Sequence, residues 1–235
     1  MILAMWSGPR NLSTTMMYSF GARKDFSIWD EPYYAAYLNM TGLEHPMRKE
    51  ILAQGILNPE EVRSACVGKI PNGKSNYFQK HQTQHMLPSF DRKWIKDVTN
   101  MFLIRHPARV ISSYEKKREN PTLEDLGFKQ QYEIFDYVCQ KTGKKPPVVD
   151  SYLVRKNPEK ELRLLCSKID LKFDSRMLKW PSGGHINDGV WAPHWYNSVW
   201  SSTGFMHSEE SLPVLSKNMQ LLCDDALVFY EKMKL

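Results

Sequence analysis

The feature that most constrains this chain is a repeated alternation of short apolar runs with segments of helical character. MILAMW at residues 1–6 reads as a buried strand, and LSTTMMYSFGA after it reads as a helix ending near Gly21. FSIWD is a second strand, followed by the helix-like EPYYAAYLNMTG. NYFQK is a third strand candidate, and NMFLIR, ending at Arg105, is the clearest of them. Pro107 then opens the helix ARVISSYEKK, Thr122 to Lys141 reads as one long helix, and PVVD is a further short strand. Asn58-Pro59-Glu60-Glu61 and Asn157-Pro158 mark helix starts, a capping side chain followed by Pro at the first helical position. From Leu212 to Leu235 apolar residues recur at helical spacing, the stripe of a packing helix.

This alternation predicts an α/β fold in three layers, a mainly parallel sheet of about five strands with helices on both faces. At 235 residues, 42% hydrophobic and 12% aromatic, the chain can build one domain over residues 1–235 around a substantial core. Open sheets of this kind bind ligands at the carboxyl ends of their strands. Three chemistry-bearing stretches fall at that edge: the turn after Trp6, the acids after Trp29, and Arg105 with the start of its helix.

Charge narrows the ligand only in part. A formal net charge of +6 suits an anionic small molecule, a nucleic acid or an anionic lipid surface. No nucleic-acid motif or dense basic stripe is present, and KKR at 116–118 and KK at 144–145 read as solvated helix and loop ends. MILAMW is too short for a signal sequence, and no apolar run is long enough to span a membrane. Cys66, Cys139, Cys166 and Cys223 lack metal-ligand spacing and read as reduced core thiols, which favours the cytoplasm. His81 and His85 have H-x-x-x-H spacing, but Gln82 stands where a zinc hydrolase carries its glutamate, so no metal site is expected.

The turn after the first strand, SGPRNLSTT, resembles a phosphate loop without its lysine: Gly8 and four residues lead to Ser13-Thr14-Thr15. A strand feeding a turn that opens a helix offers unpaired backbone N–H groups and the positive end of the helix dipole to an anion. Arg10, Asn11, Ser13, Thr14 and Thr15 add side-chain donors, with the Arg10 fork in the role a lysine plays elsewhere.

Here the chain resembles the sulfotransferases that use 3′-phosphoadenosine 5′-phosphosulfate (PAPS), in particular a bacterial sulfotransferase-like group. Their loop often reads Pro-Lys/Arg-Ser-Gly-Thr/Ser-Thr, which Pro9-Arg10-Asn11-Leu12-Ser13-Thr14 matches apart from Asn11 and Leu12. The family also carries an Arg at a strand end and a Ser eight residues on, which hold the 3′-phosphate; Arg105 and Ser113 have that spacing. DEPYYAAYL, KHQTQHML and the DGVW turn at Asp188–Trp191 resemble further segments of the group.

The resemblance implies PAPS as donor, adenosine 3′,5′-bisphosphate as product, no metal requirement, and a small-molecule or glycan acceptor. It assigns Arg10, Asn11, Leu12, Ser13, Thr14, Thr15, Arg105, Ser113 and Trp191 to the nucleotide, and His85 and Trp195 to the acceptor. Glu31 matches the catalytic glutamate of glycan-type members, while Lys80-His81 lies near the Lys-x-His of small-molecule enzymes. Glu31, His81, Lys80 and Arg10 are therefore the expected catalytic residues, Glu31 ranking first as base. Two other readings stay open: a small-molecule kinase using Mg·ATP, and a non-catalytic nucleotide- or sulfated-ligand-binding protein on the same fold.

Overall fold

A computed structural model describes residues 1–116, 120–206 and 211–234. Five strands, β1 (Ile2–Ser7), β2 (Phe26–Asp30), β3 (Asn76–Gln82), β4 (Thr99–Ile104) and β5 (Val148–Asp150), form one sheet in the order β2-β3-β1-β4-β5. Every adjacent pair is parallel. All five expected strands are present, β3 running two residues further than NYFQK.

Parallel strands are covered on both faces, so they read as unbroken apolar runs in the sequence. The alternation appears only in which layer each residue enters. Leu3 and Met5 of β1, with Met101 and Leu103 of β4, pack in the layer that holds helix Ser13–Gly21. Ala4, Trp6, Phe102 and Ile104 point the other way, into a layer closed by helices Pro107–Glu115, Phe128–Thr142 and Lys217–Lys234. The last helix buries Cys223, Ala226, Tyr230 and Met233, while Leu212, before its start, is 49% exposed. Lys117 and Arg118 of the KKR cluster, and Leu235, lie outside the described residues.

The expected long helix from Thr122 to Lys141 is in fact two. Thr122 caps Leu123–Leu126 with a reciprocal Asp125 bond, and Gly127, at φ 70°, turns the chain before Phe128–Thr142 begins. A Cβ on Gly127 would stand 2.8 Å from Thr83 Oγ1, and one on Gly8 would stand 2.4 Å from the Leu126 carbonyl oxygen. The turn after β1 therefore rests directly on the break between the two helices. A continuous helix would push that turn off the sheet edge.

β1 lies between β3 and β4; the chain leaves β1 toward β2 on one side and leaves β4 toward β5 on the other. The crevice between the turns after β1 and β4 is thus a topological switch point.

Two predictions arise from this packing. Gly8→Ala must displace the turn or the Leu126 carbonyl, and is expected to cost about 1–3 kcal/mol in a urea titration; an unchanged midpoint would contradict the close approach. The second concerns pH. His81 and His85 are buried, and burial holds both below the ordinary imidazole value, His81 at about 3. Above about pH 6.5 both folded and unfolded forms are neutral. As pH falls below that, the unfolded chain takes up protons that the fold refuses, so stability falls by about 1.4 kcal/mol per unit for each histidine. Asp30, which burial pushes up to about 6, works in the opposite sense between about pH 6 and 4 and offsets one of them. The urea midpoint should therefore drop between pH 7.5 and 5; a midpoint that rises would overturn the assignment.

Candidate functional site

A cleft of about 460 Å³ opens at the carboxyl edge of the sheet, lined by residues at or just after the ends of β1, β2, β3 and β4 and by Arg155 of the helix that follows β5. Its floor is the turn after β1. Arg10 and Leu12 both adopt left-handed backbone, at φ 61° and 72°. Leu12 stands at the N-cap of helix Ser13–Gly21, with no side-chain cap bond. Ser13, Thr14 and Thr15, the first turn of that helix, line the cleft, and their N–H groups lack the partner that Ser, Thr or Asp at the cap would supply. Leu12, where related loops carry Gly, takes the conformation a glycine takes most easily.

The two expected anchors touch. Arg105, at the end of β4, donates from a guanidinium nitrogen to the Arg10 carbonyl oxygen at 2.6 Å. Arg10 Nε donates to Ser113 Oγ at 3.0 Å. Arg10, Arg105, Ser113, Lys116 and Arg155 all line this part of the cleft, and burial lowers the Arg10 value below that of a free guanidinium. Asn11 also lines it, but the amide nitrogen turns inward to the Leu103 carbonyl at 3.4 Å, which ties the turn to β4.

A buried ionic cluster borders the same cleft. Lys80 Nζ, fully buried, donates to Asp30 Oδ1 at 2.7 Å, to Glu31 Oε1 at 2.7 Å and to the Tyr196 hydroxyl at 2.6 Å. Tyr196 OH donates in turn to Asp30 Oδ2 at 2.7 Å and accepts from Trp191 Nε1 at 3.0 Å. Gly189 N–H completes the shell of Asp30 Oδ2 at 3.1 Å. Burial by itself would strip Lys80 of its proton, but the two carboxylates outweigh it and hold the ammonium above the ordinary lysine value. One ammonium faces two carboxylates, so the cluster carries one uncompensated negative charge. Asp30 reports it: burial, only partly countered by Lys80 and reinforced by Glu31, raises this carboxyl to about 6. Glu31, at φ 46°, is the third left-handed residue of the edge, and its carboxylate lines the cleft.

The candidates thus fall into two groups. The turn residues, Arg105, Ser113, Glu31, Lys80, His85, Trp191 and Trp195 all border one cleft. His81, the second expected base, does not border it. Neighbouring residues of a strand point to opposite faces, so with Lys80 turned to the cleft His81 enters the layer behind the sheet. There it stacks on Trp6 at 4.4 Å and meets Gln79 Oε1 at 3.2 Å. His85, on the short turn Thr83–His85, reaches the cleft, as does His45. Tyr196 and the ligating role of Asp30 were not anticipated. Asp30 adjoins Glu31 in the sequence, whereas nothing local marks Tyr196. No group of three or more His, Cys, Asp and Glu side chains gathers at metal-binding distances among the described residues.

Three comparisons bear on this arrangement. Two curated proteins of Arabidopsis thaliana, named branched-chain-amino-acid aminotransferase-like protein 1 and 2, are 37% and 35% identical over 204 residues, or 87% of this chain. The matched stretch is only 36% of each relative's length, so their name describes much longer proteins. Among solved structures, the sulfotransferase domain of the curacin biosynthetic pathway has a TM-score of 0.51 at 13% identity, covering 95% of this chain and 96% of that one. A sulfotransferase from Alicyclobacillus acidocaldarius has a TM-score of 0.52 at 10% identity, covering 98% and 91%. At such identities the likeness is one of fold. The profile of the sulfotransferase domain matches residues 1–235, and the chain belongs to that family.

Proposed function

We propose that the chain moves a sulfuryl group from PAPS to a hydroxyl or amine of a small-molecule or glycan acceptor, leaving adenosine 3′,5′-bisphosphate. The observation that carries this reading is the meeting of Arg10, Arg105 and Ser113 across one switch-point crevice, with the Lys80-held carboxylate of Glu31 lining the same cleft. The residues present fit such a donor. Uncapped helix N–H groups and Arg10 suit the sulfate-bearing phosphate, and Arg105 with Ser113 suits a second phosphate.

Sulfuryl transfer resembles phosphoryl transfer in needing positioning and charge stabilisation more than covalent help from the protein. PAPS supplies the sulfuryl group and a stable leaving bisphosphate. The chain's own task at the acceptor is to take a proton. With Glu31 Oε1 held by Lys80, Oε2 is the atom left to receive it. Proton uptake brings the net charge of Lys80, Asp30 and Glu31 from minus one to zero while the Lys80–Asp30 pair stays intact.

Two rival readings fit less well. A P-loop kinase would need the loop lysine that SGPRNLSTT lacks. The relatives' aminotransferase-like name points to lysine amine chemistry, which needs a free nitrogen lone pair. Lys80, the buried lysine of this cleft, is held protonated by two carboxylates.

Calorimetric titration tests the donor. Adenosine 3′,5′-bisphosphate should bind at least about tenfold more tightly than 5′-AMP, with Mg·ATP showing no advantage. Arg105→Ala should lose about 1.5–3 kcal/mol of that affinity, the worth of charge-assisted hydrogen bonds. Tight Mg·ATP binding without 3′-phosphate preference would favour the kinase instead. For the base, Glu31→Gln should lower turnover by about 10²–10⁴-fold while leaving bisphosphate affinity within a few fold. Undiminished turnover in that variant would remove Glu31 from the chemistry.

A further inference from the structure

His85 stands beside Glu31 with one ring nitrogen unaccounted for. Its Nδ1 is enclosed, has no hydrogen-bond partner, and lies 3.8 Å from Glu31 Oε2. That is too long for a hydrogen bond and about 1 Å from being a good one. Buried polar atoms are nearly always paired, so an open contact between an imidazole and a carboxylate on the wall of a cleft calls for a reason.

The ring is not free to look elsewhere. It stacks on Tyr34, with centroids 4.3 Å apart and planes 11° from parallel, and on Tyr37 at 4.8 Å. Tyr34 is itself fixed by a 2.9 Å bond to His45 Nδ1 and packs edge-on against Trp191 at 5.0 Å. On the other side of the gap, Glu31 is tethered through Oε1 to Lys80, and only Oε2 can move. The titratable groups around the imidazole are Glu31 after β2, Lys80 on β3, Tyr34 and Tyr37 on helix Tyr34–Thr41, and His45 beyond it. Burial, with His45 and Lys80 adding to it, keeps His85 neutral.

We propose that His85 is a positioning residue for Glu31: its proton resides on Nδ1, aimed at Oε2, and the 3.8 Å contact closes to a hydrogen bond when an acceptor fills the cleft. A carboxylate oxygen has two lone-pair directions. With the imidazole N–H occupying one, the other is fixed toward the acceptor, in the plane set by the Lys80 bond. A neutral N–H does this without adding a second cation, which would quench the base. The catalytic consequence rests on the sulfuryl-transfer reading; the proton's location does not.

Nitrogen-15 NMR of the intact chain reads that location directly. The expected result is an Nδ1-protonated, Nε2-bare tautomer for His85 at pH 7.5, shifting toward Nε2 protonation in Glu31→Ala. An Nε2-protonated ring in the native protein would overturn the proposal whatever reaction the protein runs.

The second arm uses His85→Phe, which keeps the stacking and removes the nitrogens, beside His85→Asn, whose amide can donate from near the Nδ1 position. With PAPS and a working acceptor, His85→Phe should lose at least about tenfold in kcat, part of the general-base contribution. Bisphosphate affinity and the urea midpoint should hold or rise, and the acidic limb of the rate profile should move to higher pH. That direction follows because a hydrogen bond donated to a carboxylate favours its charged form. His85→Asn should recover most of the rate. Full kcat in His85→Phe, or a loss that His85→Asn does not relieve, would overturn the positioning role. Absence of sulfuryl transfer with every acceptor, alongside the expected tautomer, would instead count against the reaction assigned above.

Discussion

The site depends on one dry ammonium. Lys80 reaches the carboxyl end of β3 in an environment that ordinarily forbids an unpaired charge, and it persists there because three oxygens surround it. Those oxygens come from Asp30 and Glu31 at the end of β2 and from Tyr196 in the C-terminal third of the chain. The same Tyr196 hydroxyl receives Trp191, so the far wall of the cleft is fastened to the sheet through this cluster. Buried ion pairs contribute little net stability against a well-packed apolar substitute, yet removing one partner costs several kcal/mol. Such a cluster favours a defined geometry at the end of β2 more than it favours the fold as a whole.

Part of the chain's backbone strain lies at the same edge. Arg10, Leu12 and Glu31 carry left-handed backbone, which non-glycine residues avoid at a cost of about 1–2 kcal/mol each. The surrounding contacts account for its persistence. Arg105 grips the Arg10 carbonyl, Leu12 gains from packing against the core, and Glu31 N–H is held by the Lys80 carbonyl at 2.9 Å. Two of these contacts come from different strand ends, Arg105 after β4 and Lys80 on β3, so the edge is cross-braced. Left-handed residues outside the turn, such as Asn72 and Asp170, show that the conformation alone marks no site; its convergence with unpaired donors at a switch point does.

Much of the architecture was legible in the sequence because it is written in local terms. Apolar runs gave the strands, Asn58-Pro59 gave a capped helix start with the Glu60 N–H on Asn58 Oδ1, and strand–turn–helix order placed Arg10 and Arg105 at one edge. What was not legible depended on register or on distance. Reading β3 as NYFQK left His81 beyond the strand and available to the cleft. Two more residues of strand put Lys80 and His81 on opposite faces. Gly127 falls inside the helix expected from Thr122 to Lys141, and it is the turn after β1 pressing on it that makes the break necessary. Tyr196 lies 116 residues from Lys80, and no periodicity reports a partnership at that separation.

The two walls of the cleft also explain why a base and a cluster of arginines can share one site. A carboxylate a few ångströms from free guanidinium groups would pair with them and lose its basicity, and the guanidiniums would lose their hold on an anion. Here each is already engaged. Arg105 is turned onto the Arg10 carbonyl and Arg10 onto Ser113, while Glu31 Oε1 is spent on Lys80. The excess negative charge sits on the Lys80–Asp30–Glu31 cluster, and the positive charge gathers at the arginines and the helix start. On the proposed reading a polyanionic donor is drawn to the arginines and the helix start while a proton is removed at Glu31, with no collapse of the charges between them. The buried lysine makes this separation possible: without it, two adjacent carboxylates at the end of β2 would repel each other or capture an arginine, and the cleft would lose either its base or its anion site.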